Sequence, residues 1–141
     1  MPTRTASAEW KGGLRDGSGS FKGQTGLSGS YNFGSRFQDA AGSNPEELLA
    51  AAEAACFSMA LGAGLEKEGL APTSIQTTAA CTIEKVGEGF KITTMKLAVV
   101  AVVPGADDAK FQAIAAATKE GCPISGALKG NVQIELDARL G

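Results

Sequence analysis

Residues 43–61, SNPEELLAAAEAACFSMAL, carry the strongest local instruction in the chain. Asn44 can accept a backbone N–H as N-cap, Pro45 suits the first helical position, and Glu47 stands three residues after the cap, the spacing of a capping box. Leu48, Leu49, Ala52, Cys56, Met59, Ala60 and Ala63 then recur at helical spacing, with no glycine between Pro45 and Leu61. So much alanine lets another element approach closely, and the helix is expected to be fully buried. Gly69, with Leu70 and Pro72, supplies the stop.

Working outward, Ala6, Ala8 and Trp10 alternate with Ser7, Glu9 and Lys11, which predicts a short strand. Ser18–Thr25 can return as a second strand and Gly29–Phe33 as a third, with Gly12-Gly13 and Asp16-Gly17 marking turns. Glycine is 19 of 141 residues, and most of the excess is expected in such turns. After the helix, Ile75, Thr77, Ala79, Cys81 and Ile83 alternate with polar neighbours. A Val86-Gly87-Glu88-Gly89 turn follows, then Phe90–Val103, predicting a β-hairpin. Leu97–Val103 is apolar on both faces and is expected to be covered on both sides. Asp107 or Asp108 opens a second helix through Phe111, Ile114, Ala115 and Thr118, ending at Gly121. A short helical turn follows Cys122-Pro123, and Val132, Ile134, Leu136 and Ala138 mark the last strand. The order is about βββ-α-ββ-α-β, hence α+β, in a single domain over residues 1–141 with neither repeat nor linker.

Lys plus Arg number 13 and Asp plus Glu 15; that net charge of -2, with no basic run, leaves no electrostatic footprint for nucleic acid or an acidic membrane. At 43% hydrophobic residues a core is within reach, since a chain of this length buries roughly 68–70% of its unfolded surface. The chain has no histidine, which removes the commonest general base, the commonest metal ligand and the Ser-His and Cys-His pairings. The three cysteines, at 56, 81 and 122, match neither a disulfide framework nor a zinc spacing, so neither metal nor cofactor is expected. The N-terminal residues lack the apolar stretch of a secretory signal, and the longest apolar run, Leu97–Pro104, is too short to span a bilayer. A soluble, cytoplasmic protein with reduced thiols is the expectation.

Each cysteine can be read as a small core residue, and for Cys81 that reading suffices. Cys122 falls between Gly121, which ends one helix, and Pro123, suited to begin the next; at such an N-cap a thiolate faces free N–H groups and the positive helix end. Cys56 lies about three turns into its helix, where apolar surroundings raise a thiol pKa. By local electrostatics Cys122 is the more acidic of the two. Lowering a thiol by about 2 units takes roughly 2.7 kcal/mol, which a close guanidinium could supply.

Ser35-Arg36-Phe37, SNPEELLAAAEAACFSMAL and KEGCPISGALK together resemble the OsmC/Ohr family of thiol-dependent hydroperoxide peroxidases, closer to the OsmC branch, over most of the chain. The resemblance implies that Cys56 attacks the peroxide and that Cys122 resolves the sulfenic acid as a disulfide. It also implies that Arg36 activates Cys56 and that Glu46 holds Arg36, which sets Cys56, not Cys122, as the thiol to be ionised. It further implies an intertwined homodimer with a central buried helix from each chain, organic hydroperoxides as substrates, and reduction by a dithiol such as a lipoyl group. Helical arithmetic agrees on the glutamate: at about 100° per residue Glu46 lies about 80° from Cys56 around the helix and Glu47 about 180°. Glu46 is also roughly 15 Å along the axis, so only a long side chain arriving from the preceding loop could join the two. One departure is Glu53, where some relatives carry histidine; a carboxylate there opposes thiol ionisation, and it is expected to face water or a partner chain. Phe37, Phe57 and Met59 are candidates to line an alkyl pocket.

Two alternatives remain. A thiol-disulfide oxidoreductase would use the same cysteines but usually carries Cys-x-x-Cys, missing here. A non-enzymatic structural or binding protein would treat every cysteine as packing.

Overall fold

The computed structural model describes residues Met1–Gly141. The elements are β1 (Ala6–Lys11), β2 (Ser18–Gly23), β3 (Ser28–Tyr31), α1 (Phe33–Phe37), α2 (Pro45–Lys67), β4 (Ser74–Val86), β5 (Gly89–Val102), α3 (Asp108–Gly121), α4 (Pro123–Leu128) and β6 (Gln133–Leu140). The architecture is α+β, with one more short helix, α1, than the sequence order predicted. Residue contacts group the chain into two compact units, Met1–Leu48 and Leu49–Gly141.

The first unit is an antiparallel sheet in the order β1-β2-β3, and all of β1 is exposed. Its glycines are not confined to turns. Trp10 and Tyr31, rings 5.5 Å apart, close over Gly19, where an added Cβ would lie 2.7 Å from both rings; the Phe21 ring closes over Gly29 in the same way. Missing side chains in the strands thus become seats for aromatic rings. The third strand stops at Tyr31, short of the predicted Phe33, because the Asn32 side chain accepts the Ser35 N–H at 2.8 Å while the Ser35 hydroxyl accepts the Asn32 N–H at 2.9 Å. That reciprocal cap starts α1.

The second unit is a sheet in the order β4-β5-β6, with β5 in the centre. β4 and β5 form the predicted antiparallel hairpin; Val86 pairs with Gly89, and Gly87, at φ +64, takes the first of the two turn positions. β6 is parallel to β5, which demands a crossover, and α3 and α4 provide it. Phe57, Leu61 and Leu65, four residues apart on α2, meet Met95, Leu97, Val99 and Ala101 from alternate positions of β5, with Phe111 and Ala115 from α3. Each large side chain buried in this core contributes about 1.5–3 kcal/mol. α2 ends where the sequence predicts: Gly69 turns left-handed at φ +74, its N–H bonds Glu66 O, and the Leu70 N–H returns to Leu65 O at 2.9 Å.

Within the single chain two burial expectations are met on one side only. α2 is covered on one face only, and Met59 is 82% exposed. Leu97–Val103 is covered on one side rather than two: Leu97, Val99, Ala101 and Val103 face the core, while Val100 and Val102 stay exposed. The helices of this unit pack one face of the sheet, so the pleat sends every second side chain outward. α2 is also long and apolar enough to cross a membrane by length and composition, with a mean hydropathy of 1.7. Glu53 divides the stretch, so no continuous apolar run marks it in the sequence; the burial of Phe57, Leu61 and Leu65 marks it as a core helix.

Candidate active site

The first unit holds an arginine paired with a glutamate. Arg36 sits on α1, not on an open loop, and meets Glu46 in the first turn of α2: Nη2 to Oε1 at 2.8 Å, Nε to Oε1 at 3.2 Å and to Oε2 at 3.3 Å. Glu46 is 5% exposed, so the pair is partly withdrawn from water, and such a charge-assisted fork fixes the guanidinium plane. The backbone is tied to match. Asn44 Oδ1 accepts the Glu47 N–H as the predicted N-cap, Asn44 Nδ2 donates to Ser35 O at 2.9 Å, and the Ser35 hydroxyl donates to Ser43 O at 2.7 Å. Beside Arg36 is a cavity of about 310 Å³ with Trp10, Leu14, Tyr31, Phe33 and Phe37 in its wall. Of the three apolar residues proposed as lining, only Phe37 is found there; Phe57 is in the core and Met59 faces outward.

The second unit brings two cysteines together. Cys56 on α2 and Cys122, separated by 66 positions in the chain, have their sulfurs 2.8 Å apart, and both are thiols. A disulfide needs about 2.05 Å, a small further approach. Cys122 is wholly buried and stands at the N-cap of α4, but its side chain makes no capping bond. The helix end that the sequence predicts at Cys122 is thus present, with Pro123 at its first position, but no side-chain cap is made there. Burial pushes the Cys56 thiol above its ordinary value, contact with Cys122 adds to this, the Ile124 N–H pulls back, and the charge of Glu53 pushes up again. Cys56 therefore needs a cation to ionise readily. Cys81, on β4 opposite Met95, is half-buried against the core.

Glu53 overturns its expectation. Facing neither water nor an open surface, it is 0% exposed, and its Oε1 accepts the hydroxyl of Ser125 on α4. Sequence reasoning passed over Ser125 and the Ile124 amide; the one available signal was Pro123, which starts α4 and so sets both in its first turn.

The model of the family described as OsmC-like protein matches residues 38–137. "Peroxiredoxin OsmC" of Escherichia coli is 41% identical over 134 residues, covering 94% of each chain. The "Organic hydroperoxide resistance protein" of Xanthomonas axonopodis is 34% identical over 96 residues, 67% of this chain and 66% of its own. Among solved structures, the organic hydroperoxide resistance protein OhrB of Bacillus subtilis superposes with a TM-score of 0.74 at 29% identity, covering 95% of this chain and 97% of that one. With the match running across both thiol-bearing segments and the fold shared nearly end to end, this chain belongs to the OsmC-like protein family.

Proposed function

We propose that this protein is a two-cysteine peroxidase that reduces organic hydroperoxides, and hydrogen peroxide more weakly. The observation that carries the reading is the 2.8 Å approach of Cys56 and Cys122. The relatives named as a peroxiredoxin and as organic hydroperoxide resistance proteins support the same activity. Arg36, steadied by Glu46, is the cation we assign to Cys56, and it also orients the peroxide. The Cys56 thiolate attacks the distal oxygen, the O–O bond breaks, and the alkoxide leaves as alcohol after taking a proton, with Cys56 now a sulfenic acid. Cys122 then attacks the Cys56 sulfur; the S–O bond breaks and hydroxide departs with the thiol proton as water, leaving a disulfide. An external dithiol, such as a lipoyl group, reduces it by exchange, a cycle suited to the reducing cytoplasm.

We further assign the working form to a homodimer of single-domain chains, intertwined as the family resemblance implies. The exposed Met59, Val100 and Val102 support burial against a second copy. The aromatic cavity beside Arg36 suits an alkyl or aryl peroxide substituent. Free thiols titrated before and after one equivalent of cumene hydroperoxide test the activity. Loss of two thiols within one chain is expected; no loss would leave Cys56 and Cys122 as packing residues. Peroxide consumption no faster than by free thiol, together with efficient reduction of disulfide substrates, would make the protein an oxidoreductase of another kind.

A further inference from the structure

The buried face of α2 carries Glu53, Phe57, Leu61 and Leu65 at successive four-residue steps, and three of the four are apolar. A carboxylate in the remaining core position is costly unless its partners repay the lost hydration. Glu53 has little such repayment: Oε1 accepts the Ser125 hydroxyl, and Oε2 is buried without a hydrogen-bond donor. The single anchor of this carboxylate is thus placed on α4. Ser125 is itself buried, in the first turn of α4, three residues after Cys122. On α2, Glu53 precedes Cys56 by the same three residues, so the two pairs are each one helical turn apart on facing elements. One pair holds the helices by a hydrogen bond; the other brings the two sulfurs together.

We propose that Glu53 and Ser125 are positioning residues that clamp α4 onto α2 and thereby raise the effective concentration of the Cys122 thiol at Cys56. α4 has six residues, too few to keep its place by its own helical bonds, and Cys122 is its N-cap. A hydrogen bond from the first turn of α4 to a rigid core helix fixes the segment at the end that carries the sulfur. The clamp favours closure of the disulfide over a long-lived Cys56 sulfenic acid. The inference rests on Cys56 and Cys122 being a redox pair, and its test needs no peroxide.

The test is the equilibrium of the full-length protein with glutathione at neutral pH, in which one glutathione disulfide oxidises the dithiol and two glutathiones are released. The fraction of Cys56–Cys122 disulfide is read by thiol alkylation and mass measurement. Ser125→Ala and Glu53→Ala are expected to lower the equilibrium constant for disulfide formation about tenfold, a rise in potential of ~30 mV for this two-electron couple. Glu53→Gln, which still offers Oε1 to Ser125, is expected to stay near the wild-type potential, whereas Glu53→Met, of similar volume but with no oxygen for that hydroxyl, is expected to shift as Glu53→Ala does, a split that a purely steric role would not produce. Should a single variant fail to fold, Glu53→Gln combined with Ser125→Ala leaves no unpaired charge inside and is expected to show the same tenfold loss. Unchanged potentials in Ser125→Ala and the double variant would overturn the clamp. A wild-type protein that forms the disulfide with glutathione yet ignores cumene hydroperoxide would instead sink the peroxidase reading and leave the clamp standing.

Discussion

The two units hold their chemistry by different means. In Met1–Leu48 the sheet is thin and largely exposed, and the Arg36–Glu46 pair is located by hydrogen bonds: the Asn32 cap that starts α1, the Ser35 and Asn44 links, and the fork itself. In Leu49–Gly141 the sulfurs are carried by elements packed around an apolar core, with Phe57 one residue after Cys56. A side chain located by caps can be displaced by losing a single polar atom, whereas one located by a core is displaced only when the packing itself fails. The arginine–glutamate pair is therefore the more easily displaced, and the thiol pair the more rigidly held.

The sharpest break is Cys56→Ser, which should reduce peroxide consumption to the background of buffer; Cys122→Ser should keep a single turnover and leave a trappable sulfenic acid on Cys56. Phe57→Ala should cost about 3–5 kcal/mol in chemical unfolding, because a fully buried ring is lost from the core. Arg36→Ala should lower stability as well, because Glu46 is left buried without its partner, and should slow peroxide attack at neutral pH on the order of 10- to 1,000-fold, the span an adjacent opposite charge gives an ionising group. Asn32→Ala removes the α1 cap and should cost about 1 kcal/mol, with attack slowed less than in Arg36→Ala.

The smallest expected effect concerns pH. Cys56 is held above its ordinary value by burial first and by the charge of Glu53 last, and the reactive species is its thiolate. Attack thus rises with pH as Cys56 ionises, and Glu53→Gln, by removing a negative charge, should move that rise to lower pH. A stopped-flow pH–rate profile that moved upward in Glu53→Gln would contradict the sign.

Legibility in the sequence followed the range of the interaction. The α2 start at Asn44, its stop at Gly69, the Gly87 hairpin and the Asp107 cap of α3 are written in three or four neighbouring residues, and the structure has each of them. The α1 cap was equally local but was read as strand, since Tyr31 and Phe33 suit either state and the Asn32–Ser35 reciprocity was overlooked. Burial was the weaker inference. An alanine-rich helix and a doubly apolar strand pointed to coverage on all sides, yet within the chain each is covered on one face. Composition reports how much apolar surface exists and leaves open what covers it. The fate of Glu53 was beyond the same reach, because its partner Ser125 is distant in sequence and a carboxylate at helical spacing usually marks the wet face.

By itself the amino-acid order determined where most helices and strands begin and end, α1 and the end of β3 excepted, that histidine chemistry is absent, and which cysteines, arginine and glutamate deserved attention. Caps, turns and alternation are contacts between near neighbours, and those are set once the order of residues is set. Only the tertiary structure decided that Cys56 meets Cys122 and that Glu53 lies inside against Ser125. Each of these joins segments far apart in the chain, and such meetings are fixed by the packing of the core and by which polar groups it leaves facing one another.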